Sequence, residues 1–319
     1  VNTTTSRQET RPTVSPDAVS PDARAEVSVV MANYNGARWL SDAIRSVQAQ
    51  TLTRWELLIA DDASTDDSLS IMHAAAARDP RIVVLPAVRN QGPSGARNRA
   101  LDAARGQWVT IVDSDDLIAP GRLAALVDAA RRDAASIVAD DLRIVDEDGT
   151  ATSRTLLTLS AKRACDAVDL VKNAGELGYL KPMFDRRVIE SLRYDDELRV
   201  GEDFDFLLRA LAATGGMTVY PELGYLYRQR TSSLSKGSAR RALEGMLVAD
   251  QRFRATQRAS GPLLSELDRR RSALKTRLHW ENVKASLREK RVVHALREAV
   301  MHPGIAHYAL GSLFKFAAR

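Results

Sequence analysis

Short apolar runs alternate along this chain with stretches in which apolar residues recur every three or four positions. Val27-Ser28-Val29-Val30-Met31, Trp55 to Ala60, Arg81 to Leu85, Trp108 to Val112 and Ser136 to Ala139 read as strands. Between them, Leu40, Ile44 and Val47 share one helical face, and a second helix follows the polar stretch Asp61 to Asp66 and runs to about Ala77. The Gly/Pro loop Asn90 to Gly95 opens a third helix, and Leu123, Leu126 and Val127 mark a fourth. Strands that alternate with helices predict right-handed crossovers and a mostly parallel sheet with helices on both faces, an α/β fold. After Gly149 the pattern loosens. Strand-like pieces occur at Leu180 to Phe184, Met217 to Tyr220 and Gly224 to Arg228, with a helix from about Glu202 to Ala212. From Ala239 onward the chain reads as helical, with Leu267, Leu274 and Leu278 on one face.

The 319 residues carry a net charge of +5, and that figure hides an asymmetry. From Lys236 to the end there are 18 Lys and Arg against 7 Asp and Glu, whereas the remainder carries 28 against 34. The pattern predicts a tail over residues 1–25, a domain over 26–235 and a basic helical region over 236–319. The first residues are rich in Thr, Ser, Pro and charge and lack an apolar stretch, so they read as disordered rather than as a secretion signal. One cysteine, Cys165, allows no internal disulfide, and no Cys/His cluster has zinc-finger spacing. A reducing cytoplasm fits this usage. No apolar run reaches the roughly 18 residues needed to span a bilayer. The basic region suits an anionic membrane surface, nucleic acid, or a solvated helical face.

In a doubly wound sheet, ligands sit outside the carboxyl ends of the strands. Polar residues gather there: Asn33, Tyr34 and Asn35 after the first strand, Asp61 and Asp62 after the second, and Asp113-Ser114-Asp115-Asp116 after the fourth. An acidic cluster ending a buried strand requires a cation. A divalent ion that bridges carboxylates to a diphosphate is one answer, and a helix cap that needs no metal is another. Asp61 and Asp62 either cap the following helix or accept hydrogen bonds from a base or ribose. Gly92 to Asn98 sets small residues and the Arg97 guanidinium at a helix start, which suits either a diphosphate or a plain turn. Glu202, Asp203 and Asp205 stand in the first turn of a helix, where the dipole favours acids in any case. None of the five histidines lies in a polar strand-end cluster, so a general base would be a carboxylate. Tyr227 to Ser235, with Arg228 and Arg230, mixes cations and hydroxyls and would clamp phosphate or acceptor oxygens, or serve as a surface linker.

Taken in order, VSVVMANYNG at 27–36, IADDASTD at 59–66, GARNRA at 95–100, VDSDD at 112–116 and GED at 201–203 resemble the family-2 inverting glycosyltransferases, which have the GT-A fold. The resemblance covers about residues 26–235. It implies transfer of one sugar, commonly glucose, from a UDP-sugar to an acceptor hydroxyl, with Mn²⁺ or Mg²⁺ as cofactor. By the same pattern Asn33 and Tyr34 lie near the nucleotide, Asp61 and Asp62 meet the uracil, and Arg97 and Asp113 bind the nucleotide diphosphate. Asp113 and Asp115 match the metal-binding acids, Asp203 matches the catalytic base, and Glu202, Arg228 and Arg230 fall on the acceptor side. The Gln-x-x-Arg-Trp motif and membrane spans of the processive members do not occur in the sequence, which favours addition of single sugars. The chain is similar to bacterial exopolysaccharide glucosyltransferases of the succinoglycan type. This implies a lipid-linked oligosaccharide acceptor and peripheral contact of a cytoplasmic enzyme with the inner membrane face, and no role for nucleic acid. Two other classes compete. A sugar nucleotidyltransferase would follow its first strand with a Gly-rich loop and a basic pair, not with Ala32-Asn33-Tyr34-Asn35, and a non-catalytic binding module would not need Asp203.

Overall fold

The structure is a computed structural model that describes residues 25–198, 200–229, 239–256, 259 and 261–305. The expected tail therefore lies outside the described residues apart from its last residue, Ala25, and so does Arg230. The first half follows the predicted alternation: β1 (Val27–Asn33), α1 (Ala37–Gln48), β2 (Trp55–Asp61), α2 (Ser68–Ala76), β3 (Ile82–Pro86), α3 (Gly92–Ala103), β4 (Trp108–Ile111), β5 (Leu117–Ile118), α4 (Arg122–Arg132) and β6 (Ile137–Val145). Next come β7 (Ala151–Thr155), β8 (Arg163–Cys165), α5 (Ala167–Lys172), α6 (Ala174–Leu177), β9 (Met183–Asp185), α7 (Arg186–Ile189), α8 (Glu202–Thr214) and β10 (Met217–Arg228). Three helices close the described chain: α9 (Ala239–Thr256), α10 (Gly261–Arg288) and α11 (Val292–Met301), followed by a 3-10 turn at Pro303–Ile305.

The sheet runs β3-β2-β1-β4-β9-β6-β10-β5, with β7 beside β6 and β8 beside β10. It is parallel from β3 to β4. Beyond β4 it is mixed, because β9 runs antiparallel to both β4 and β6. The expected mostly parallel sheet thus holds for the front half only. The reason is local: β9 enters from short helices with no full crossover helix to reverse its direction. Strands β1 and β2 are buried on both faces, which is why they read as unbroken apolar runs.

Two boundaries differ from the sequence pattern for one physical reason each. Strand β6 continues past Ala139 through Asp140 and Asp141 to Val145. Asp140 is tolerated there because Arg122 reaches it with Nη2 at 2.7 Å, both side chains being fully buried. The two pieces Met217 to Tyr220 and Gly224 to Arg228 form one strand, β10, with a register shift between Tyr220 and Tyr225. A shift of that kind breaks the period-2 pattern from which a strand is read. Among the described residues no helix is long and apolar enough to cross a membrane.

Candidate active site

The carboxyl ends of β1, β2 and β4 lie side by side, since Asn33 pairs with Asp61 and Val30 with Ile111 in register. The chain leaves β1 through Asn35 at φ 50° and then Gly36, where a Cβ would come within 2.3 Å of Asn33 Oδ1. Only glycine permits that approach. Asn33 donates from Nδ2 to Asp61 Oδ1 and to Ser64 Oγ, each at 3.2 Å, while Tyr34 is half exposed at the rim.

Asp61 and Asp62 are both buried and do different work. Asp61 closes a tight turn, accepting from Ser64 N at 2.9 Å and Ser64 Oγ at 2.6 Å. Asp62 accepts from the backbone N–H groups of Gln91 and Gly92 at 2.8 and 2.7 Å, which ties the start of α3 to the end of β2. Each carboxylate oxygen of Asp62 thus accepts one bond from the start of α3, which is not the helix that follows it in sequence. Asp61 keeps its place at the strand end beside Asn33.

Arg97, Asn98 and Arg99 of α3 divide the polar work of their motif. Arg99 Nη2 donates to Asp61 O at 2.8 Å, and Asn98 bonds both the N–H and the carbonyl of Tyr194, at 2.8 and 2.9 Å. The Tyr194 ring stacks on Phe206 of α8 with centroids 4.2 Å apart, and the Arg97 guanidinium lies over the same ring at 5.2 Å. Through Tyr194 these contacts tie α8 to α3. Gly201, at φ 85°, makes the left-handed turn that starts α8 and aims Glu202 and Asp203 inward.

At the centre, two cations hold three carboxylates. Arg97 Nη2 lies 3.1 Å from Asp113 Oδ1, and its Nη1 lies 3.1 Å from Glu202 and 3.2 Å from Asp203. Lys181 Nζ lies 2.8 Å from Asp113 Oδ2 and 3.0 Å from Asp203 Oδ2. Burial alone would raise the Asp113 carboxyl, but the charges of Lys181 and Arg97 overrule it and hold the group far below the carboxylate range. Burial would lower the Lys181 ammonium, and Asp113 and Asp203 hold it above its ordinary value instead. Glu202 moves the other way: burial and then the neighbouring Asp203 charge push it up.

Lys181 was not among the residues that the sequence pattern singles out. It stands two residues before β9, in an apolar context, and nothing local marks it. Its placement follows from pairing: Thr110 sits opposite Met183, so the antiparallel start of β9 falls beside the end of β4. Arg122 Nη2 then fixes the Lys181 carbonyl at 2.8 Å.

The acidic loop after β4 also divides its roles. Asp116 is buried, accepts from Tyr225 Oη and from the Arg228 N–H at 2.8 Å each, and is pushed well up by burial and by Asp115 and Asp113. It builds the turn. The Arg228 side chain is buried and donates to the carbonyls of Asp115 at 2.7 Å and Glu147 at 2.6 Å, so it braces the loop. Asp113 and Asp115 bring carboxylate oxygens, which are hard donors, to the end of β4. The Lys181 ammonium bridging Asp113 and Asp203 marks a place where this fold demands positive charge, and such a donor set fits a divalent hard cation.

Known proteins resemble this chain in sequence and in fold. The model of the family described as Glycosyl transferase family 2 matches residues 28–190. The succinoglycan biosynthesis protein ExoO of Rhizobium meliloti is 33% identical over 291 residues, covering 88% of this chain and 83% of the relative. ExoU of the same organism is 28% identical over 303 residues, covering 91% and 87%. Among solved structures, S. aureus TarS 1-349 in complex with UDP-GlcNAc superposes with a TM-score of 0.63 at 19% identity, over 79% of this chain and 72% of that one. The mannosyltransferase PcManGT from Pyrobaculum calidifontis, in complex with GDP-Man and Mn²⁺, gives 0.58 at 19% identity, over 95% and 84%. These likenesses mark the fold as GT-A, and on the family match and the ExoO relationship the chain belongs to glycosyltransferase family 2.

Proposed function

We propose that the chain is a metal-dependent inverting glycosyltransferase that moves one sugar, with glucose the first candidate, from a UDP-sugar to a hydroxyl of a lipid-linked oligosaccharide during exopolysaccharide assembly. The observation that carries the reading is the shared clamp of Arg97 and Lys181 on Asp113 and Asp203, at the strand ends where a GT-A ligand sits. The names of the two Rhizobium relatives support the pathway, and the ligand named for TarS supports a uridine nucleotide.

In this reading Asn33, Tyr34 and Asp61 meet the nucleotide, and Arg97 takes the diphosphate. Asp113 and Asp115 would hold Mn²⁺ or Mg²⁺, which when bound supplies positive charge against the leaving diphosphate. Asp203 accepts the proton of the attacking hydroxyl. As that oxygen bonds the anomeric carbon, the bond to the diphosphate breaks on the opposite face, so an α-linked donor yields a β product. Glu202 lies beside the base and faces the acceptor. Lys181 ties Asp203 to Asp113 by touching both carboxylates.

Peripheral contact with an anionic membrane belongs to the same proposal. The exposed side of α11 carries Val293, Leu296, Val300 and Met301, all more than half exposed, among the arginines and lysines of the last described helices. Near-surface cations contribute roughly 1 kcal/mol each at anionic lipid. Val293→Glu with Val300→Glu should release the chain from phosphatidylglycerol vesicles in sedimentation, and unchanged binding would refute the contact.

The activity is tested by incubating the chain and Mn²⁺ with a panel of radiolabelled nucleotide sugars and a lipid-linked acceptor fraction. Transfer from one UDP-hexose, with an inverted anomeric proton in the product's NMR spectrum, is expected. Pyrophosphate release from a nucleoside triphosphate and a sugar phosphate, with no transfer, would overturn the reading in favour of a nucleotidyltransferase.

A further inference from the structure

Helix α11 lies against α10 through a small apolar patch. Val283, Ala295 and Ile305 are buried there, with Trp280 and Ala299 partly buried beside them. Most of the large apolar residues of α11 face away from this patch, so hydrophobic burial alone gives the helix a weak hold. Beside the patch three side chains of metal-ligating type converge. His279 of α10, Glu298 of α11 and His302, just past the end of α11, each offer one ligand atom, and these atoms lie within 4.8 Å of one another. His279 Nδ1 is 2.7 Å from Glu298 Oε1, and the two imidazole rings stack with centroids 3.3 Å apart. Glu298 lies in the last turn of α11 and His302 is the residue that ends it, so both side chains are carried by the same end of the helix.

We propose that His279, Glu298 and His302 bind one divalent transition ion, zinc by their chemistry, and that the ion staples α11 to α10. Two imidazoles and a carboxylate are the donor set of zinc and its borderline neighbours, whereas Mg²⁺ and Ca²⁺ prefer all-oxygen cages. A tetrahedral zinc site with bonds near 2.0–2.1 Å spaces its ligand atoms about 3.3 Å apart, inside the 4.8 Å that encloses these three, and the stacked imidazoles would splay to turn their ring nitrogens onto one ion. Water would complete the fourth position. The side chains of His279 and Glu298 retain 27% and 22% of their exposure, which leaves an entry path. Besides the contact with His279, the Glu298 carboxylate accepts a hydrogen bond from the Asn282 side chain. Asn282 thereby takes the orienting place that partners of metal-bound carboxylates occupy. None of these residues lines the sugar-transfer pocket, and the inference stands whether or not that reading holds.

The test is calorimetric titration of the untagged full chain with Zn²⁺, run in parallel on Asp115→Asn so that any zinc taken by the pocket is separated. One equivalent should bind in both. His279→Ala and the shape-preserving Glu298→Gln should each weaken that binding by about 100-fold or more, and Asn282→Leu by about 10–100-fold. Cobalt in place of zinc should give visible absorption bands of nitrogen and oxygen coordination, lost in His302→Ala. In the same samples zinc should slow hydrogen exchange of the α11 amides in the wild type and not in Glu298→Gln. Zinc affinity unchanged by His279→Ala and Glu298→Gln, or no binding at all, would overturn the site and leave a hydrogen-bonded pair. Binding without slower exchange in α11 would overturn the staple.

Discussion

Lys181→Met removes one charge from the centre of the pocket and nearly preserves the shape of the side chain. The wild-type ammonium touches two carboxylates, at 2.8 and 3.0 Å, and its side chain is only 7% exposed. At an effective dielectric near 20, each contact is worth roughly 6 kcal/mol of Coulomb energy before the desolvation of the three groups is subtracted. Removing one member of a buried ion pair typically costs about 3–5 kcal/mol, because the partners stay buried without compensation. Asp113 and Asp203 keep 24% and 29% of their side-chain exposure, so the lower end of that range, about 3 kcal/mol, applies. Equilibrium urea unfolding at constant m measures it. The pH dependence follows from the shifts. Asp113 is depressed in the folded state, so its contribution is present above the unfolded value of about 3.9 and is lost as pH falls through the folded value. Lys181 is raised, so its contribution is present below the unfolded value of about 10.4 and is lost above it. The gap between wild type and variant should therefore be widest across the neutral range and narrow below about pH 4. Mn²⁺ should restore more stability to the variant than to the wild type, since the variant leaves two carboxylates in need of a cation. A loss under about 1 kcal/mol, or a loss that Mn²⁺ does not touch, would refute the reasoning, because surface-like ion pairs behave that way.

Four further outcomes are expected. Asp203→Asn should keep donor affinity and lose transfer by about 10²–10⁴-fold, the range for a general base, as single-turnover kinetics would show. Asp115→Ala should abolish the Mn²⁺-dependent part of donor binding in calorimetry. Arg228→Met should weaken Mn²⁺ and donor binding with little change in acceptor KM, since it braces the Asp115 carbonyl from inside; a raised acceptor KM alone would return it to the acceptor side. Arg122→Met should cost about 3–5 kcal/mol, while Arg122→Met with Asp140→Leu should recover most of that stability yet still transfer poorly, measured by unfolding and turnover on the same samples.

What the sequence made legible was the part of the fold governed by local periodicity. Strands β1, β2 and β4 are mainly apolar and lead into polar residues, so Asp61 and Asp113 stand out in the sequence, as does Arg97 at the start of α3. Asp62 could be found but not assigned, because a carboxylate that caps α3 and one that meets a base look alike in one dimension. Lys181 was invisible for a related reason. Its importance comes from the pairing of β9 with β4, a contact between residues far apart in sequence. Asp140 hid in the same way: an acid ends a strand on paper, and only Arg122 from α4 makes it a strand interior.

These hidden residues form one connected support under the visible ones. Asp140 Oδ2 accepts from the Tyr225 N–H at 3.0 Å, and Tyr225 Oη in turn bonds Asp116 at 2.8 Å and accepts from the Asp113 N–H at 3.3 Å. Through Arg122 the same carboxylate fixes the Lys181 carbonyl. One buried aspartate thus sets the positions of both halves of the Lys181 to Asp113 contact, from a strand that touches no ligand-facing atom. A fully buried ion pair is a poor source of stability, since apolar residues of similar volume often do as well. Its value here is positional: an apolar pair could fill the space but could offer neither the acceptor for Tyr225 nor the donor for Lys181. On the proposed function, the acids crowded around two cations would exchange one of those contacts for a diphosphate and its counter-ion, while the backbone beneath them stays held by Asp140, Arg122 and Tyr225.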